Sequence, residues 1–219
     1  MDHFQSAWQR IQDQLVPFFV YGLLGFFLSA CAFYIPVLSI LRELKDALAQ
    51  DRVPDLKNAF DMERIKNDLP MWGTLMGSMF AVTVVFLMLT LPVIGISVVF
   101  GEELEWLVLL LMLWIFGLQF LLSFLTVVLL FWSPWIYLSE GLSPIDTIKA
   151  SFLYGKSTFV QVIVHMLIVY FSMMVGMVFC YVPAFLALTV GAIASFNLYE
   201  AHRSGIQKII AEHGLLRIK

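Results

Sequence analysis

Charged side chains vanish from four long stretches of this chain: 14–41, 69–101, 106–139 and 157–199, which are 28, 33, 34 and 43 residues long. A bilayer core of about 30 Å needs only about 20 helical residues to cross it. Each stretch is therefore long enough to span. At about 1.5 Å per residue the last one would form a rod of roughly 64 Å, twice what one crossing uses. It carries a turn signal, Cys180-Tyr181-Val182-Pro183, near its middle. The pattern there predicts a hairpin of two membrane helices.

The polar intervals repeat a theme. Ala7-Trp8 and Arg10 to Pro17 precede the first apolar stretch. Ala59-Phe60 and Arg64 to Pro70 precede the second, and Ala150-Ser151-Phe152 with Lys156 precede the last. A small residue, an aromatic and a polar turn before membrane entry predict an amphipathic helix lying on the headgroups. Pro17 and Pro70 fit the first turn of the helices that follow, where a missing N–H matters little. Tyr34-Ile35-Pro36 in the first stretch and Tyr181-Val182-Pro183 in the last share a Tyr-x-Pro turn.

The expected fold is therefore all-α and polytopic. It has about six helical membrane segments, arranged as three hairpins with amphipathic cytoplasmic lead-in helices. The segments fall at about 15–33, 36–50, 70–98, 106–134, 158–179 and 183–202 of a single membrane domain, 1–219. A cytoplasmic segment at 42–68 and a cytoplasmic tail at 203–219 complete it. The second segment is the ambiguous one, because Arg42-Glu43-Leu44-Lys45-Asp46 follows Pro36 closely and charge is expensive at membrane depth. A straight span over 15–41 gives five crossings and an external N-terminus. A half-helix at 36–50 gives six and places both termini inside.

Composition agrees with this class and narrows the partners. The chain is 61% hydrophobic with 13% charge, against about 25% charge in soluble domains. Its mean hydropathy is +0.89. Six of the 13 Lys and Arg lie in 42–68, and none lies in Glu102-Glu103-Leu104-Glu105. By the positive-inside rule, 42–68, 140–156 and the C-terminal tail face the cytoplasm and the acidic loop faces outward. The 42–68 segment sets six bases against seven acids, so it carries no footprint for nucleic acid. Leu28-Ser29-Ala30-Cys31 resembles a lipoprotein cleavage box. The residues before it hold one Arg and two Asp, unlike a basic signal region, so the segment reads as a retained membrane helix. Cys31 and Cys180 each precede a Tyr-x-Pro turn; they either pair or remain two small buried thiols.

Two stretches carry a family likeness. One runs from Tyr34-Ile35-Pro36 through Leu41-Arg42-Glu43-Leu44-Lys45-Asp46-Ala47-Leu48 to Asp51-Arg52-Val53-Pro54-Asp55-Leu56. The other is Gly141-Leu142-Ser143-Pro144-Ile145-Asp146-Thr147-Ile148-Lys149-Ala150-Ser151-Phe152. The chain resembles bacterial six-helix integral membrane proteins similar to the membrane domain fused to some glycerophosphodiester phosphodiesterases. The likeness implies a fold and a bacterial inner-membrane location. The phosphodiesterase barrel is not in this sequence, so its activity is not implied.

Candidate chemistry is sparse. Arg42, Lys45 and Asp46 belong to the densest charge cluster near the membrane. Arg42 and Asp46 stand at i,i+4 and can pair, and an Arg fork suits a lipid phosphate or a partner. Gln119 and His165 are the polar residues within spans, and such residues are default candidates for a pathway. Interhelical hydrogen bonding is the plainer role for both. Asn197, Glu200 and His202 read as interfacial, and Glu102, Glu103 and Glu105 as an external acidic loop. Gly73–Gly77, Ser172–Gly176 and Gly191–Ser195 are small-xxx-small pairs that allow close helix approach. No phosphate loop, zinc-protease motif, serine-hydrolase elbow or cofactor cysteine pattern occurs. The expectation is a non-enzymatic accessory or scaffold subunit, or a membrane-homeostasis factor, without metal or cofactor. Its partners would be membrane lipids, other membrane subunits or copies of itself. The alternative is a small oligomeric channel or transporter with Gln119 and His165 near the pathway.

Overall fold

The computed structural model describes residues 2–12, 15–20, 23, 35–100, 105–178 and 182–215. These form an all-α structure: α1 (Asp2–Ile11), α2 (Ile35–Ala49), α3 (Leu56–Ala59), α4 (Met62–Phe100), α5 (Glu105–Leu129), α6 (Ser133–Glu140), α7 (Pro144–Ser157), α8 (Phe159–Val178) and α9 (Val182–Glu212). Residues 15–20 are also helical.

Four helical stretches among the described residues are long and apolar enough to cross a membrane: Met62–Ile96, Trp106–Glu140, Phe159–Val178 and Pro183–Glu212. The protein is a multi-pass helical membrane protein with four such helices here, rather than the expected six. The segment expected at 15–33 lies largely outside the described residues. The segment expected at 36–50 is α2, a helix of 15 residues, shorter than a full crossing needs. It holds Arg42, Glu43, Lys45 and Asp46 within 15 residues, about 22 Å of helix. Its buried face runs through Leu38, Ser39, Ile40, Glu43, Leu44 and Ala47. That face packs on α4 and on the α3 turn, so its charges are settled by protein partners and need not meet hydrocarbon. The Cys31–Cys180 pair, Tyr34, Tyr181 and Glu102 to Leu104 lie outside the described residues.

Two hairpins carry the four spans, α4 with α5 and α8 with α9. α4 has 39 residues, about 58 Å of helix, and starts eight residues before Pro70. Pro70 therefore lies inside a helix, contrary to the first-turn expectation. Asp61 accepts the Glu63 N–H at 2.9 Å and starts the helix early. The pairing of Arg42 with Asp68 ties the turn just before Pro70 to α2.

α6 ends at Gly141 in the left-handed conformation, φ 62°, which glycine adopts without steric penalty. The chain then enters α7 through Ser143, whose Oγ accepts the Asp146 N–H at 3.1 Å. That bond satisfies one of the donors a helix start leaves open. One core gathers Val128, Trp132, Trp135, Ile136, Leu142, Tyr154, Val162, Tyr199 and Ile206 from α5 through α9. Burial of the Trp132 indole is completed by its Nε1–H donating to Thr158 Oγ1 at 2.9 Å.

The small-residue pairs have different fates. A Cβ on Gly176 would sit 2.4 Å from the Ala184 backbone nitrogen, and one on Gly191 would sit 2.9 Å from both Val169 methyls. These two glycines let α8 and α9 close on each other. A Cβ on Gly73 or Gly77 meets nothing within 4 Å. α1, expected as a headgroup helix, also packs on protein. It lies along α9, with Ala7 and Ile11 buried against Ile193 and Ala194. Asn197 Nδ2 donates to Ser6 Oγ at 3.0 Å. The amphipathic stripe of α1 is thus satisfied by a helix.

Candidate functional site

Most of the described charge pairs join into two knots. The first is built on α2. Glu43 has a side chain with no exposed surface, and it accepts from Arg52 Nη1 at 2.5 Å and Arg64 Nη1 at 3.5 Å. The Asp55 N–H donates to the same carboxylate at 2.9 Å. Burial alone would push the Glu43 carboxyl up. The Arg52 hydrogen bond, the Asp55 N–H and the Arg52 and Arg64 charges outweigh it and hold the group below its ordinary value. Arg64 also reaches Asp46 at 3.6 Å. Arg42 pairs with Asp68, which is fully buried.

The second knot is built on Glu140 at the end of α6. Its carboxylate accepts from the Tyr199 hydroxyl at 2.8 Å, from Arg203 Nε at 2.9 Å and from Gln207 Nε2 at 3.3 Å. Three successive turns of α9 thus converge on one acid. Lys45 links the knots: its ammonium donates to the Leu138 carbonyl. Burial draws the Lys45 pKa down; Asp46 opposes this, while Arg42 and Arg203 add to it.

The expected site residues therefore divide. Arg42, Lys45 and Asp46 do share one face region, but Arg42 turns to Asp68 and Asp46 to Arg64 instead of to each other. The i,i+4 pair is surrendered because a fully buried acid on α4 draws the guanidinium more strongly than a solvated neighbour does. Gln119 lies in the α4/α5 hairpin, with Nε2 donating to Ser123 Oγ at 3.3 Å. Its Oε1 is buried and meets no donor among the described residues.

His165 sits elsewhere, 4% exposed. Its Nε2 is 2.7 Å from Ser195 Oγ. Phe4 of α1 stacks on the ring at 4.8 Å, and Phe131 meets it edge-on at 5.3 Å. Gln119 stands ten residues, about 15 Å, before the end of α5. It does not line the cavity at His165, so the two span residues do not form one site.

Sequence reasoning placed Glu43 in the charge cluster with Arg42, Lys45 and Asp46 but did not find Asp68, Glu140, Tyr199 or Arg203 as site residues. A signal for three of them existed. Asp68, Glu140 and Arg203 are charges that border apolar stretches, where an ion needs either water or a partner. Among the described residues, no group of three or more His, Cys, Asp or Glu could hold a metal ion. What the knots do chemically is fasten: each carboxylate is engaged by an arginine from another part of the chain. No family model, curated protein or solved structure matches this chain.

Proposed function

We propose that this protein is a non-enzymatic accessory or scaffold subunit of a bacterial inner membrane. It works through lateral contact with lipids and with other membrane subunits or copies of itself. One observation carries the reading: the α4/α5 hairpin leaves a long run of large apolar side chains exposed. In the most apolar part of each stretch, 11% of residues are buried in Met62–Ile96 and none in Trp106–Glu140, against 17% in α8 and 39% in α9. Trp114, Phe116 and Phe120 stand 78%, 58% and 75% exposed along α5. A pathway between helices would instead gather polar groups along one route through the bundle. Gln119 and His165, lying apart, favour the scaffold reading over transport.

The distribution of Lys and Arg supports a cytoplasmic 42–68 segment and a cytoplasmic C-terminus. Arg42 and Lys45, half-exposed at the first knot, are the groups positioned to meet lipid headgroups or a partner.

A photo-crosslinking residue at Trp114, introduced into the full chain in native membranes, tests the reading. The expected result is a defined adduct with a second copy or another membrane subunit. Lipid adducts alone would overturn the scaffold reading. Labelling single cysteines at Lys57 and Lys208 from each side tests the topology. Both should react from the cytoplasmic face.

A further inference from the structure

α7 begins four residues after the Trp106–Glu140 stretch ends and stops two residues before α8 begins. Two consecutive apolar stretches therefore hold it at one membrane surface. Its two faces differ. Thr147, Ala150, Ser151, Tyr154 and Gly155 are buried. A Cβ on Gly155 would sit 3.0 Å from the Leu129 carbonyl oxygen, and the Ser151 hydroxyl donates to that oxygen at 2.9 Å. The opposite face, Ile145, Lys149, Phe152 and Lys156, is exposed. Steps of four, three and four residues make these a single stripe along the helix.

Both ions of the stripe are bases. The one acid of α7, Asp146, has a side chain 14% exposed and accepts from Lys149 Nζ at 3.2 Å. An ammonium carries three protons, so Lys149, 59% exposed, keeps donors for a second partner. Lys156 Nζ sits 4.3 Å from the centre of the Phe152 ring. A cavity of about 320 Å³ joins the stripe to the end of α9, lined by Lys149, Phe152, Leu153, His213 and Leu215. Glu212, beside His213 in the chain, pairs with Lys208 at 3.8 Å. The face therefore offers positive charge and apolar surface together. α1 settles its apolar side on α9, whereas α7 keeps Ile145 and Phe152 exposed.

We propose that this face of α7 binds the headgroup of an anionic phospholipid. Lys149 and Lys156 stand about 10 Å apart along the helix, and their flexible stems can converge on one headgroup. Lysine stems lie along apolar surface while the ammonium reaches phosphate. Bases interleaved with apolar side chains are the pattern of helices that lie in the membrane interface. A zwitterionic lipid has no net charge to set against the two bases. Free phosphate would match the lysines and leave Ile145 and Phe152 without an apolar partner. The proposal deepens the lipid contact of the proposed function and rests on that contact. The Trp114 crosslink reports the subunit contact separately, so either can fail alone.

The test uses the full chain reconstituted in vesicles of equal parts dioleoyl-phosphatidylglycerol and dioleoyl-phosphatidylcholine. Native mass spectrometry counts the lipids that stay bound after release. Each base near an anionic surface favours it by about fivefold. Asp146 takes part of the Lys149 share, so retention of phosphatidylglycerol over phosphatidylcholine should be about tenfold. Lys149→Gln combined with Lys156→Gln should bring the ratio close to one. Lys57→Gln combined with Lys66→Gln removes the same charge elsewhere and should leave the ratio unchanged. Inorganic phosphate should displace no more lipid than chloride at equal ionic strength. All four lysines are exposed, so the variants keep the core intact. A wild-type ratio near one, a ratio that survives the α7 double variant, an equal fall in the control pair, or specific displacement by phosphate would each overturn the proposal.

Discussion

Replacing Glu43 with Gln removes one charge and almost no volume, so it isolates what the first knot contributes. Glu43 has no exposed side-chain surface, and Arg52 and Arg64 converge on it with side chains 32% and 34% exposed. Hydrogen bonds to charged groups contribute about 1.5–3 kcal/mol each. Stripping one partner from a fully buried pair costs about 3–5 kcal/mol. Both arginines can rehydrate here, and exposed pairs count for much less. The Asp55 N–H can still donate to the amide oxygen of Gln. Glu43→Gln should therefore lose about 2 kcal/mol, a fall of roughly 4–8 °C in the thermal midpoint for a chain of this size.

The pH dependence makes this prediction specific. The folded-state Glu43 carboxyl lies below its ordinary value, so its stabilisation is fully present above the unfolded carboxylate pKa of about 4.3. It drains away as pH falls through the lower folded value. Thermal unfolding of both proteins in one detergent, from pH 8 down to pH 3, should show a constant gap that closes only in acid. Equal midpoints at pH 7, or a gap that persists to pH 3, would refute the assignment of Glu43 as the ionised centre of the knot.

Other consequences are simpler. Tyr199→Phe removes the buried hydroxyl that donates to Glu140 at 2.8 Å; it should cost about 1.5 kcal/mol in the same unfolding assay. Gly176→Ala places a Cβ 2.4 Å from the Ala184 backbone and should destabilise the α8/α9 hairpin by about 1–3 kcal/mol. Gly77→Ala meets open space, and alanine is better than glycine in a helix by about 1 kcal/mol. Its melting point should hold or rise, and any loss seen only in crosslinked assemblies would locate an interface there. Ser143→Ala removes the α7 cap and should cost about 1 kcal/mol, read as faster proteolysis at 141–147.

Uncharged stretch length made the α4/α5 and α8/α9 hairpins legible, because crossing length is a property of consecutive residues. The Ser143 start of α7 follows from local chemistry for the same reason. His165 stood out as a polar residue in an apolar run. The destiny of α2 did not, because what buries Glu43 is a pair of arginines 9 and 21 residues onward. Asp68 outcompetes Asp46 for Arg42 across 26 residues, and no helical periodicity encodes such a choice. The packing of α1 on α9 joins residues about 190 apart. Its amphipathic stripe reads the same whether the apolar side meets lipid or another helix.

The second knot also sets an order on biogenesis. Glu140 leaves the ribosome 59, 63 and 67 residues ahead of Tyr199, Arg203 and Gln207. Insertion of α8 and α9 therefore precedes these three engagements of that carboxylate. A chain ending before residue 199 would already carry all its uncharged stretches into the bilayer. It would not carry the groups that fasten α9 to α6. The three donors that tie α9 to Glu140 thus reach that carboxylate only after all of α8 has been made.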